Sequence, residues 1–236
     1  MKILITGSAG FIGYHLAQSL LLDNNISVIG IDNINDYYDT KLKKSRLANL
    51  KNINFSFYQI DISDKSSISD LVNNIEKNIG NIEILINNAG THLRKKALDT
   101  TDNEWSNVID TNLNSVFSLS RECAKKMIKR KKGNIVMIGS VTSVMGLPDV
   151  SAYSTSKTAL TGLTRILAIE LGKFSINVNC ICPGFIKTAI FARVKKKDPK
   201  RFDKILSRTP LNRFGMLKIY QVLLASCVPL SLNLLQ

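Results

Sequence analysis

Short apolar runs alternate with stretches of helical period from the first residues onward. KILIT is followed by a helix-period stretch from about Ile12 to Leu22, then by ISVIGID and a polar helical stretch around Leu42 to Leu50. The order continues with INFSFYQID, a helix around Ser66 to Lys77, IEILINNAG, a helix of roughly Trp105 to Lys129, NIVMIGS, a helix from about Tyr153 to Leu171, and INVNCIC. Strand runs with little polar alternation are buried on both faces, and such strands separated by helices form a parallel sheet with right-handed crossovers. The pattern predicts an α/β fold, a doubly wound parallel sheet with helices on both faces. No repeat, low-complexity stretch or linker divides the chain, so residues 1–236 are expected to form a single domain.

Composition changes this picture little. With 44% hydrophobic and 21% charged residues the chain is ordinary for a globular protein with a sizeable core. The net charge of +14 raises a nucleic-acid reading. The basic residues gather in Lys125 to Lys132 and Arg193 to Lys204, the first at the end of a helix, where lysines suit the helix dipole. No nucleic-acid motif accompanies them, so a solvated face is expected and no nucleic-acid partner. MKILITG enters a strand directly, without a signal-like segment, which points to the cytoplasm. The tail IYQVLLASCVPLSLNLLQ is interrupted by Gln221, Pro229 and Asn233, too short and broken for a membrane span. Cys123, Cys180, Cys182 and Cys227 lack a completing ligand set and read as buried, reduced thiols rather than a metal site.

The chemistry begins at Thr6-Gly7-Ser8-Ala9-Gly10-Phe11-Ile12-Gly13, between the first strand and the first helix. Bare backbone there can approach a pyrophosphate, and the helix N-terminus stabilises its charge. Asp32 ends the next strand 19 residues after Gly13, the context that a dinucleotide-binding Rossmann unit requires. A carboxylate at that position accepts hydrogen bonds from the adenine ribose and repels a 2′-phosphate. NAD is therefore preferred, with NADP open because Lys41, Lys43 and Arg46 lie near in sequence. Asp61 stands where an adenine amino group could be met, with Ile62 as an apolar wall; a turn or cap at Ser63 is the alternative.

Tyr153 and Lys157 stand four residues apart in Tyr-Ser-Thr-Ser-Lys, on one face of a helix start. An ammonium beside a phenol stabilises the phenolate and lowers a pKa otherwise near ~10. Ser140 ends the strand NIVMIGS, 13 residues before Tyr153, and its hydroxyl can converge on the same carbonyl oxygen.

With these residues in order, the chain resembles the short-chain dehydrogenase/reductase family. From about Ile82 to Gly215 it is similar to the single-domain branch typified by 3-oxoacyl-acyl carrier protein reductases. The matching residues are Asn87-Asn88-Ala89-Gly90, Asn112, Ser140, Tyr153, Lys157 and Pro183-Gly184-Phe185-Ile186-Lys187-Thr188. The resemblance implies that Tyr153 is the general acid in reduction and base in oxidation, that Ser140 orients the substrate oxygen, that Lys157 tunes Tyr153 and binds ribose, and that Tyr153 and Lys157 both belong to the cofactor-binding set. It further implies that Asn112 holds a proton-relay water. Asn88, Ala89 and Gly90 would line the cofactor, and Pro183, Gly184, Ile186 and Thr188 would shape its nicotinamide side.

Two regions depart from that branch. TGSAGFIG and GIDNINDYYDTKLKKSRL, within residues 1–62, resemble the extended branch that includes UDP-glucuronate epimerases. The chain lacks room after Lys157 for the C-terminal region with which such enzymes grip a nucleotide. Simple carbonyl or alcohol redox on a small or carrier-linked substrate is therefore expected, with epimerisation as the alternative. Residues 190–215 occupy the place of the family's substrate lid. Residues 216–236 lack the family's last strand, and catalytic impairment through that tail is a further alternative. The resemblance also implies a homo-oligomer.

Overall fold

In the computed structural model, residues 1–37, 39–50, 53–186 and 199–216 are described. The alternation of the sequence reappears as β1 (Lys2–Thr6), α1 (Phe11–Leu20), β2 (Ser27–Asp32), α2 (Thr40–Asn49), β3 (Phe55–Gln59), α3 (Lys65–Asn78) and β4 (Ile84–Asn87). It continues through α4 (Asp102–Ile109), α5 (Ser115–Arg130), β5 (Gly133–Ile138), α6 (Ser151–Gly172), β6 (Ile176–Ile181) and α7 (Pro199–Ser207). All the strand pairings are parallel, in the order β3-β2-β1-β4-β5-β6.

The two-residue period of a strand sends successive side chains to opposite faces, and both faces here are apolar. Leu4, Ile29, Leu85 and Met137 join one core cluster with residues of α3, α5 and α6. Ile3, Ile5, Val28, Ile86 and Val136 join a second, with Tyr14, Leu16, Ala17 and Leu20 of α1. Each buried valine, leucine, isoleucine or methionine among them contributes on the order of 1.5–3 kcal/mol by leaving water, so the strands are held from both sides. The strand order reverses between β1 and β4, leaving a crevice beyond their carboxyl ends, where open α/β sheets bind ligands.

The helical period over Trp105 to Lys129 predicts one helix, but the structure interrupts it. Asp110–Asn114 winds as a π-helical turn between α4 and α5, with helical backbone on both sides. Such a turn re-aims one side chain, and here it carries Asn112, which is completely buried. The helix expected around Leu42 starts earlier, at Thr40, because the Asp39 carboxylate accepts the Lys41 N–H and caps it.

Candidate active site

The glycine loop after β1 is shaped by contacts that exclude side chains. Gly7 takes φ +67°, a left-handed conformation that glycine adopts without cost. A Cβ there would stand 2.9 Å from the Ala89 Cα, so the loop lies directly on the Asn88-Ala89 segment beyond β4. Gly13, on the first turn of α1, faces the Gly7 carbonyl with no room for a side chain between them. The Thr6 hydroxyl accepts the N–H groups of Asn88 at 3.0 Å and Ala89 at 2.9 Å, while the Asn88 amide donates to the Thr6 carbonyl at 2.8 Å. Gly10 begins α1 without a side-chain cap, and no acidic residue stands in its first turn. The helix thus presents bare N–H groups and its positive dipole end to the cleft, a fit to a pyrophosphate.

At the end of β2 the structure changes the reading of Asp32. Its carboxylate is 7% exposed; one oxygen accepts the Ala9 N–H at 3.1 Å, and the other accepts the Ile34 N–H at 2.9 Å. That second oxygen also pairs with the Lys43 ammonium at 3.3 Å, and Lys43 is itself 4% exposed and donates to the Asn35 amide oxygen at 2.8 Å. Asp32 is therefore a neutralised, multiply bonded carboxylate rather than a free one. Arg46 donates to the Ala9 carbonyl at 3.2 Å and lies over the rings of Phe11 and Tyr14. Neither basic side chain carries a sequence signal beyond position.

Asp61 shows the turn role. It accepts the Ser63 N–H and hydroxyl at 2.9 and 2.7 Å, and the Asn33 amide at 2.8 Å. Partial burial works to raise its pKa, but these hydrogen bonds outweigh it and hold the carboxyl below its ordinary value. Ile62 is buried and joins the core beneath the cleft.

At the other end, β5 delivers Ser140 to the cleft through Gly139. The Ser140 hydroxyl accepts the Thr142 N–H at 3.1 Å, while its N–H donates to the Ser143 hydroxyl at 3.2 Å. Ser143 in turn donates to the Lys157 carbonyl at 2.8 Å, tying the serine loop to α6. Tyr153 and Lys157 lie in the first two turns of α6, and the Lys157 Nζ stands 5.9 Å from the Tyr153 ring centre. Lys157 is 4% exposed and donates to the Ile138 carbonyl at 2.7 Å. Burial pushes its pKa down to about 8, against a smaller opposing influence of the Cys180 and Cys182 thiols. Its ammonium is therefore poised near neutrality.

Asn112 is oriented from three sides. Its amide donates to the Thr91 carbonyl at 2.9 Å and to the Ser156 hydroxyl at 3.0 Å, and its oxygen accepts the Thr91 N–H at 2.8 Å. Both side-chain donors are thus committed to protein, leaving one acceptor position for a water. The site also contains residues that no motif marks. His92 packs its ring 4.7 Å from that of Tyr153, and Thr91, Ser143 and Ser156 tie the segments together.

A single cleft of about 1660 Å³ is lined by Gly7, Gly10, Phe11, Ile12, Asp32, Asp61, Ile62, Asn88, Ala89, Gly90, Ser140, Tyr153, Lys157, Pro183, Gly184 and Ile186. The glycine loop and the serine, tyrosine and lysine therefore open on the same space. Arg94, Lys200 and Arg208 line it as well, the last two from α7 and the residue following it. Of the expected lid, 190–198 lie outside the described residues, as do Lys187, Thr188, Cys227 and 217–236. The expectation of buried cysteines holds for Cys123 alone, since Cys180 is half-buried and Cys182 exposed. β6 ends at Ile181, so its last turn outward carries Cys182 beyond the sheet. Among the described residues no cluster of three metal-ligating side chains occurs, and no helix is long and apolar enough to cross a membrane.

Comparison with known proteins accords with this geometry. A family model described as short chain dehydrogenase matches residues 1–199. The 3-oxoacyl-[acyl-carrier-protein] reductase FabG of Buchnera aphidicola subsp. Baizongia pistaciae is 36% identical over 216 residues, covering 91% of this chain and 84% of that relative. The 2-dehydro-3-deoxy-D-gluconate 5-dehydrogenase of Bacillus subtilis is 35% identical over 212 residues, covering 90% and 81%. Among solved structures, ElxO with NADP bound has a TM-score of 0.82 at 29% identity, covering 96% of this chain and 91% of that one. NAD+-bound xylitol dehydrogenase has a TM-score of 0.80 at 25% identity, covering 94% and 90%. The family match includes residues 1–62, and the resemblance of that segment to the extended epimerase branch gains no support from it. The chain belongs to the short-chain dehydrogenase/reductase family, oxidoreductases that act on alcohol and carbonyl groups.

Proposed function

We propose that the protein transfers a hydride between a nicotinamide dinucleotide and a small or carrier-linked carbonyl or alcohol, with NAD preferred over NADP. One observation carries this reading: Ser140, Tyr153 and Lys157 line the same cleft as the glycine loop and Asp32. When bound, the cofactor supplies or accepts the hydride. Gly7, Gly10, Phe11 and Ile12 hold its pyrophosphate at the start of α1, with Thr6 and Gly13 keeping the loop closed upon Asn88 and Ala89. Asp61 and Ile62 bound the adenine end, and Gly90, Pro183, Gly184 and Ile186 bound the nicotinamide end.

The proton step belongs to the chain's own residues. Ser140 donates a hydrogen bond to the substrate oxygen and fixes it beside the Tyr153 hydroxyl. Tyr153 gives its phenolic proton to that oxygen in reduction and takes one in oxidation. The Lys157 ammonium stabilises the phenolate that alternates with the phenol. Asn112 keeps Thr91 and the first turns of α6 in register, and its remaining acceptor position suits a relay water.

The NAD preference rests on Asp32 as the acidic group at the ribose end. Lys43 and Arg46 stand beside it and narrow the preference, since cations there also accommodate a 2′-phosphate. Phe117 on α5 and Ile166 and Ile169 on α6 are exposed apolar side chains that a second copy would cover, which supports a homo-oligomer.

The test is turnover with NADH and NADPH against 3-oxoacyl thioesters and keto sugar acids. We expect cofactor oxidation with at least one class, faster with NADH. A cooperatively folded protein that binds neither cofactor would contradict the proposal.

A further inference from the structure

Cys180 and Cys182 lie outside the catalytic set, yet they flank it. Their Sγ atoms stand 3.8 Å apart, and Cys182 is exposed. A Cβ added to Gly139 would meet both sulfurs at 2.9 Å, so the glycine that precedes Ser140 is what gives the pair its space. Pro183 follows directly, and its carbonyl accepts the Val141 N–H at 2.7 Å. The two sulfurs therefore sit at the joint between the serine loop and the Pro183-Gly184 wall of the cleft.

We propose that Cys180 and Cys182 form a dithiol site that a hydroperoxide oxidises to an internal disulfide, and that this cross-link disables the adjoining active site. Two strand steps separate the Cα atoms by about 6.6 Å, near the upper end of the range that a disulfide spans. Closing the bond therefore draws on the chain at Cys182 and pulls Pro183, and through it Val141 and Ser140, away from their present positions. Disulfides under such tension are readily reduced, which makes the change reversible.

The steps balance. The exposed Cys182 thiol gives up its proton and its sulfur attacks the peroxide oxygen that carries hydrogen; the O–O bond breaks, a sulfenic acid forms, and the leaving hydroxide or alkoxide takes up the released proton as water or an alcohol. Cys180 then attacks the Cys182 sulfur, the S–S bond forms, the S–O bond breaks, and hydroxide leaves with the Cys180 proton as water. In sum, two thiols and one hydroperoxide give one disulfide and two molecules of water, or water and an alcohol. Burial, and then the neighbouring Cys182, push the Cys180 thiol up to about 11, so the exposed Cys182 rather than Cys180 meets the peroxide first.

The experiment treats the full-length protein with hydrogen peroxide, with and without later dithiothreitol. It reads the mass of the peptide that contains both cysteines together with turnover, and repeats both on Cys180→Ser and Cys182→Ser. The thiol chemistry is read by mass alone, so it stands or fails separately from the proposed redox activity. We expect the peptide to lose two hydrogen atoms and turnover to fall at least fivefold, with dithiothreitol restoring both and neither serine variant showing the loss. Oxidation that stops at a sulfinic acid on Cys182, or a disulfide that leaves turnover unchanged, would overturn the proposal.

Discussion

The two ends of the cleft each bury a lysine, and the two lysines are held in opposite ways. Lys43 is paired with the Asp32 carboxylate at 3.3 Å and shares the Asn35 amide. Lys157 is equally buried, but among the described residues no carboxylate pairs with it, and its ammonium rests on the Ile138 carbonyl. Burial without a counter-charge lowers its pKa to about 8. On the proposed reading, the ribose end thus contains a fixed ion pair that shapes a binding surface, while the catalytic end contains a charge kept near its titration point. A group that must support proton transfer near neutral pH is useful only in the second condition.

Substituting each lysine with methionine separates the two roles. Lys157→Met should lower turnover by roughly 10²-fold, because the phenolate of Tyr153 loses its cation. Its effect on folding stability should stay within ~1 kcal/mol, because a buried charge is removed along with one hydrogen bond. Lys43→Met should cost about 3 kcal/mol in chemical denaturation, because the buried Asp32 carboxylate is left without its cation. Equal losses of stability in the two variants would show that the two lysines are held alike.

A smaller change tests the ribose end directly. Asp32→Asn should shift the ratio of NAD to NADP dissociation constants by about tenfold toward NADP, near 1.4 kcal/mol, as measured by calorimetry. An unchanged ratio would show that the Lys43 pair already silences Asp32 as a selector.

The smallest effect is the response to pH. Below about 8 Lys157 is charged in the folded protein, and above it the charge is lost, so kcat/KM should decline on the alkaline side of pH 8. The linked stability runs the other way. Between about 8 and the ordinary lysine value near ~10.4 the unfolded chain binds more protons than the folded one, so the contribution of Lys157 to stability rises with pH through that window. Activity and stability measured in the same buffers should therefore diverge there.

Much of this was legible in the sequence, for identifiable reasons. The fold followed from buried runs such as ILIT and NIVMI, whose two-residue period supplies both faces of the sheet. Gly7 and Gly13 were legible because backbone contact leaves no alternative residue. Ser140, Tyr153 and Lys157 were legible as an ordered set, which the fold then brings to one cleft. The rest depends on contacts between segments distant in sequence. The capture of Asp32 by Lys43 spans two elements, and the packing of His92 on Tyr153 joins a loop to a helix. The π-helical turn at Asn112 leaves no mark in the hydrophobic period, because the helices on either side keep theirs. The exposure of Cys182 likewise follows from where β6 stops, one residue before it, and nothing in INVNCIC marks that end.

Proton transfer by Tyr153 is measured most directly through turnover and cofactor binding in Tyr153→Phe. The substitution removes one hydroxyl and leaves the ring beside His92. Turnover should fall roughly 10³-fold with the cofactor dissociation constant unchanged within about threefold, since the glycine loop and Lys157 keep their place when the phenol hydroxyl is lost. Turnover equal to that of the unaltered protein would contradict proton transfer by Tyr153.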